Sequence, residues 1–291
     1  MEANLEALNT FLLILSLVVG CMVGSFLNVC IYRLPRNESV VSPRSKCPKC
    51  GNGIAWYDNI PIVSWLALGA KCRYCGETIS WQYPFVEAIV GVLFVCVYWR
   101  FGMVAATPVY MALVAGLVLV TFVDLADWTI PNEVTLPGIP IGVACGLVGM
   151  FVPAAGFIVH DVFDAMIGVV LGGGILYGLD KLTVLLAKKR GMGFGDVKLL
   201  AMLGAFLGWK SVFIIIMIAS LIGSVIGVTL LVIQKRTGPQ TEGAPQGGHY
   251  LPFGPYLALA GLLYLFFGEW MIAAYANFLH APDMPPGSPL L

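Results

Sequence analysis

Lys188-Lys189-Arg190-Gly191-Met192-Gly193-Phe194-Gly195-Asp196 runs three cations into three glycines and ends on a carboxylate, and an apolar helical pattern opens directly behind it. A carboxylate at the mouth of an apolar segment is costly and needs a reason. The surrounding chain is 59% hydrophobic and 11% charged. That charge content is under half of the ~25% usual in a soluble domain, so the class is membrane protein. Lys+Arg and Asp+Glu both number 16, and this balance gives no reason to expect a nucleic-acid partner. A second acid, Asp124, stands near the end of an earlier apolar run. The sequence reading is that the chain folds to bring these two carboxylates together.

Against the ~20 apolar residues that a bilayer core requires, eight segments qualify as candidates, near 11–32, 84–101, 104–125, 134–152, 162–187, 196–209, 211–233 and 254–276. The first lacks a cationic flank before it and a small-residue cleavage site after it, so it is expected to be a retained anchor. The sixth is short and contains Lys198. With eight crossings and an outside N-terminus, Arg33, Arg36, Arg44, Lys46, Lys49, Lys71, Arg73, Lys188 to Arg190, Lys235 and Arg236 all fall on the cytoplasmic side. Only Arg100 and Lys210 fall clearly outside. Without the sixth crossing, Lys235 and Arg236 would break the positive-inside bias.

The expected fold class is an all-α polytopic membrane protein of about eight transmembrane helices with a small cytoplasmic insertion. Its parts are a first helix over 1–32, the insertion over 33–83, a seven-helix membrane core over 84–280, and a Pro-rich tail over 281–291 expected to be disordered. A flexible loop is expected over 234–250, rich in Pro and Gly. No internal repeat is evident.

Within the insertion, Cys47-Pro48-Lys49-Cys50 and Cys72-Arg73-Tyr74-Cys75 are two C-x-x-C knuckles. Each can place two thiolates on one metal, and the two together close a tetrahedral four-thiolate site. Thiols stay reduced on the cytoplasmic side, which favours metal over disulfides. Zinc is the expected ion, in a structural role, since protein fills all four positions. A redox pair or bare thiols are the alternatives. Cys21, Cys30, Cys96 and Cys145 lie in apolar runs and read as small buried hydrophobes.

Hydropathy and charge place Asp124 and Asp196 at one depth on the cytoplasmic side. Two close carboxylates do not both ionise easily, so one is held protonated. Such a pair can draw a proton from water and donate one to a carbonyl or leaving amine. The glycines of 191–195 would let a substrate backbone come close. Two solvated helix ends explain the same pattern, and topology alone favours that reading for either Asp. Asp127 follows Asp124 by three residues, near the same helical face. Glu87 could bind a cationic group or accept a hydrogen bond from a neighbouring helix. With only His160, His249 and His280 present, a histidine-based hydrolase is disfavoured.

Taken in order, these residues resemble the bacterial type IV prepilin peptidases, membrane enzymes with leader peptidase and N-methyltransferase activities. Gly20 to Val29 followed by Tyr32-Arg33-Leu34-Pro35 is similar to that family's opening signature, and the two knuckles come next. Asn59 to Leu66 lies between them, and Tyr83-Pro84-Phe85-Val86-Glu87 follows. Asp124 with Ile130-Pro131-Asn132, the G-x-G-D motif Gly193 to Asp196, and Pro252-Phe253-Gly254-Pro255 complete the match over nearly the whole chain. Gln82 stands where many relatives carry Arg.

The resemblance implies that Asp124 and Asp196 are the catalytic pair of an aspartic endopeptidase. Its substrates would be type IV prepilins or type II secretion pseudopilins, cut at the cytoplasmic face of the bacterial inner membrane. It also implies methylation of the new N-terminal amine from S-adenosylmethionine, with Gly76 as the position to watch, although turn geometry beside a knuckle alone would account for Gly76. Asp127 is kept in reserve. The rival readings are another G-x-G-D intramembrane protease of preflagellin or signal-peptide type, a proton-coupled transporter, and an inactive zinc-dependent scaffold.

Overall fold

The computed structural model describes residues 2–188, 193–237 and 252–280. Lys189 to Met192, most of the expected flexible loop and the expected disordered tail lie outside them. Among the described residues the chain is almost entirely helical. The elements are α1 (Glu2–Arg33), the short α2 (Val63–Ala67), α3 (Gln82–Phe101), α4 (Ala106–Asp127), α5 (Asn132–Phe151), α6 (Val162–Ala187), α7 (Phe194–Leu207), α8 (Trp209–Thr237) and α9 (Gly254–His280). Two isolated antiparallel bridges, Lys46 with Gly53 and Lys71 with Thr78, are the extended pairings among these residues.

Seven of the helices are long and apolar enough to cross a membrane: all except α2 and α7. The sixth apolar segment of the sequence is α7. Its 14 residues give a rod of about 21 Å, short of a ~30 Å hydrocarbon core. It is also buried: Leu199, Leu200, Leu203 and Ala205 have no exposed surface. A helix apolar all round is what an interior position demands, and α5, α6, α8 and α9 pack around it.

Close helix packing here depends on glycine. A Cβ on Gly168 would meet the Gly204 backbone, and one on Gly172 would lie 2.5 Å from the Leu200 carbonyl oxygen. These pairs run α6 and α7 antiparallel with their backbones in direct contact, as small residues permit between membrane helices. In the same way, Cβ atoms at Gly20 and Gly24 of α1 would each lie 2.7 Å from the α3 backbone, at Gly91 and Glu87.

α7 runs from the level of the two acids to the far end of the bundle. Its start lies beside Asp124 and Gly254. Its far end reaches the first turn of α6, where Trp209 N–H donates to Asp164 Oδ1 at 3.3 Å. The chain then returns along α8, so the end of α8 lies at the same end of the bundle as the insertion, as the charge pattern requires. α6 and α8 overrun this level. Gly173 lies opposite Val197 and Gly223 opposite Tyr256, so each helix continues for ten or more residues, about 15–20 Å. Leu185 and Leu186 on the α6 extension are 76% and 75% exposed.

Candidate active site and cysteine cluster

Asp124 belongs to the inward stripe of α4. Leu117, Val120 and Asp124 follow at helical spacing, and all three are buried. The Asp124 Oδ2 accepts a hydrogen bond of 3.1 Å from the backbone N–H of Gly254, the first residue of α9. An N–H at a helix start has no intrahelical partner, so Asp124 satisfies a donor as well as being held by it. Gly254 must be glycine for this approach, because a Cβ there would lie 2.5 Å from that same oxygen.

Asp196 is the third residue of α7, after Gly193 in the capping position. It is 7% exposed and Asp124 5%. The two carboxylates lie close enough to repel each other. Ile130, in the α4–α5 connection, wedges between their supports: Cβ atoms at Gly195 and Gly254 would lie 2.8 and 3.0 Å from its side chain. The Asp196 Oδ1 is buried without a hydrogen-bond partner among the described residues. Lys198, two residues further along α7, donates to Asn132 Oδ1 and ties α7 to the start of α5. The expected pair is therefore brought together, inside the protein and not as two solvated ends.

Asp127 is exposed at the end of α4. Glu87 serves a different junction. It is buried, and its Oε2 accepts the Ile62 N–H at 2.7 Å. Ile62 has φ 61° and ψ −50°, and Val63 N–H bonds back to the Pro61 carbonyl at 2.5 Å. That is a γ-turn of the rarer, strained hand, on a β-branched residue that ordinarily avoids positive φ. Glu87 thus fastens the insertion to α3 at a strained point. Sequence reasoning missed this partner, and it missed Gly254 and Ile130 as the supports of Asp124.

The four expected ligands also converge. The sulfurs of Cys47, Cys50, Cys72 and Cys75 lie within 4.8 Å of one another, and all are free thiols. Cys47 and Cys75 Sγ are 3.9 Å apart, close to the ~3.8 Å edge of a tetrahedron with ~2.3 Å zinc–sulfur bonds. The two knuckles share one backbone pattern. Gly51 N–H bonds to the Cys47 carbonyl and Gly76 N–H to the Cys72 carbonyl, both at 2.9 Å, and both glycines have φ 72°. This short repeat was not evident in the sequence.

The two thiols of the second knuckle feel opposite influences. Backbone N–H groups of Cys75 and Tyr74 lower the Cys72 thiol to about 7. Cys75 goes up to about 12: the Glu77 backbone lowers it, but desolvation and the neighbouring thiols outweigh that. Four sulfurs at this spacing form a donor set that can hold one metal ion. Arg73 braces the second knuckle through a two-pronged bond to Asp58 at 2.8 and 2.6 Å.

These features define the class: a multi-pass helical membrane protein with a buried carboxylate pair at one end of the bundle and a four-cysteine insertion beside it. The chain belongs to the type IV leader peptidase family. That family matches residues 111–228, and the bacterial peptidase A24 N-terminal domain matches residues 18–101. The chain is 36% identical to a prepilin leader peptidase/N-methyltransferase of Myxococcus xanthus, over 87% of this chain and 90% of the relative. Proteins of the same description from Stutzerimonas stutzeri and Neisseria gonorrhoeae are 35% and 36% identical, over 90% and 89% of this chain and 93% and 92% of theirs. No solved structure matches the chain.

Proposed function

We propose that the chain is a membrane aspartic endopeptidase that removes the short basic leader from type IV prepilins or type II secretion pseudopilins, and that it methylates the new N-terminal residue. The observation that carries this reading is the burial of Asp124 and Asp196 together at the ends of α4 and α7, with glycine backbone on two sides. Buried carboxylates this close share a proton. The ionised member takes a proton from a water molecule, and that water attacks the scissile carbonyl. The protonated member donates first to the carbonyl oxygen, and a proton then passes to the departing amine as the C–N bond breaks. The Asp196 Oδ1, buried without a partner, is placed to receive the water. Gly195 and Gly254 keep side chains out of the space beside the pair.

The site end carries the cationic flanks, which supports a location at the cytoplasmic face of the inner membrane. Zinc on Cys47, Cys50, Cys72 and Cys75 would hold the two knuckles as one unit, with no position left for water. S-adenosylmethionine supplies the electrophilic methyl group for the second activity. Gly76 is the candidate contact in the insertion, since open space faces its Cβ position; Gly51 shows that the knuckle turn alone accounts for its φ.

The test is incubation of the purified protein with a prepilin in detergent, with and without S-adenosylmethionine, followed by mass measurement of the new N-terminus. Cleavage is expected in both cases and a methyl increment only with the donor. Asp124→Asn and Asp196→Asn should each abolish cleavage while the protein accumulates normally in the membrane. Full cleavage by either variant would sink the assignment.

A further inference from the structure

A second built feature lies away from the carboxylates. Arg33, at the end of α1, is only 8% exposed. Its Nη1 and Nη2 donate to the carbonyls of Ser39 and Pro43, both at 2.8 Å. Two of its five N–H donors are thus used, on neutral acceptors. Among the described residues no carboxylate forms an ion pair with it. A buried cation ordinarily requires a counter-charge. Arg33 lines a cavity of about 530 Å³ between α1 and the insertion, and Arg44 lines it as well.

Most of the rest of that wall is apolar, with Ser25, Ser45 and Asn59 as the polar exceptions, and it is directional. Val18, Met22, Phe26 and Val29 line the same cavity and lead up one face of α1 to Arg33 at helical spacing. From Val18 to Arg33 the groove runs about 22 Å. That is about half of a ~40–45 Å bilayer with its head groups. The groove is therefore one leaflet long, greasy along its length and cationic at the site end.

We propose that this groove binds an anionic phospholipid, its phosphate on Arg33 and Arg44 and an acyl chain along Val18, Met22 and Phe26. The lipid supplies the negative charge that Arg33 lacks, and it seats the insertion against α1. A free phosphate or another small anion would satisfy the cations but leave the apolar groove unfilled. A basic peptide segment would be repelled by the same two cations.

The experiment is native mass spectrometry of the full chain in non-ionic detergent, offered equal amounts of phosphatidylglycerol and phosphatidylcholine. Phosphatidylglycerol should be retained in preference. Arg44 is exposed, so Arg44→Gln leaves the fold intact, and it should weaken that retention about fivefold. Met22→Trp, which narrows the groove, should reduce it too, and millimolar inorganic phosphate should not displace the lipid. Equal retention of the two lipids, indifference to Arg44→Gln or to Met22→Trp, or displacement by phosphate would each overturn the proposal.

Discussion

Replacing Gly254 with alanine tests the proposed active site without touching either acid. A Cβ at that position would lie 2.5 Å from Asp124 Oδ2 and 3.2 Å from its Cγ, where ordinary contact begins at 3.4 Å. Ile130 Cδ1 blocks a second direction at 3.0 Å. The carboxylate must therefore move by most of an ångström, or α9 must back away and lengthen the Gly254 N–H bond. A small-to-large change in a packed interior costs about 1–3 kcal/mol, which a bundle this size survives. Catalysis is less tolerant, since a ~1 Å misplacement of a reacting group costs about 10²-fold in rate. Gly254→Ala should accumulate in the membrane and unfold only a few degrees below the parent, yet cleave a prepilin about 100-fold more slowly in detergent. Gly195→Ala, which would press on Ile130 at 2.8 Å, should act in the same direction. Cleavage at the parental rate by a folded Gly254→Ala protein would refute the argument that Asp124 is positioned from α9.

The other parts of the molecule give further checks. Gly168→Leu forces α6 away from the Gly204 backbone and should cost several kcal/mol, seen as loss of membrane-accumulated protein; normal accumulation would contradict the α6–α7 contact. Metal analysis should find one zinc per chain, and Cys47→Ser should abolish it; retained zinc would place the metal elsewhere. Glu87→Gln keeps the shape of the side chain but trades a charged acceptor for a neutral one, a loss of about 1–2 kcal/mol. It should speed hydrogen exchange at Ile62 and leave cleavage rates within about threefold, whereas unchanged exchange would show that the strained turn holds itself.

Much of this was legible in the sequence because membrane proteins advertise their exceptions. Asp124 and Asp196 stand out as acids at apolar boundaries, and charge placement alone put them at one end. The cysteine spacing carries its own geometry, and the sulfurs meet as expected. What stayed hidden depends on contacts between distant segments. Gly254 stands in the Pro252–Pro255 stretch that carries the resemblance, but nothing in that stretch shows that α9 directs its first N–H at Asp124. Glu87 could be read as binding a cation or a helix; its partner is one N–H in an irregular loop, set by a γ-turn that no local propensity favours at isoleucine. The sixth segment could be counted, but whether it faces lipid or protein depends on which helices surround it. Its glycine partners Gly168 and Gly172 lie on α6 and are not in its own sequence.

The depth of the carboxylates was only partly legible, and it bears on the choice between a protease and a transporter. α4 ends and α9 begins at their level, so the pair opens toward the insertion. α6 and α8 run on past them, with exposed leucines on the α6 extension. Two apolar helix extensions therefore stand beyond the buried pair. In the proposed reading they suit a substrate with a polar leader and a following apolar helix, which could rest against them while the junction meets the acids. A proton-coupled transporter needs its site to open to both sides in turn. From Leu199 onward, however, α7 is buried residue after residue down to Leu207. Gly168 and Gly204 bring the α6 and α7 backbones into contact along that path, and at the far end the Trp209 N–H bond ties the start of α8 to Asp164 of α6. An exit that way would require the α6 and α7 backbones, in direct contact at Gly168 and Gly204, to separate.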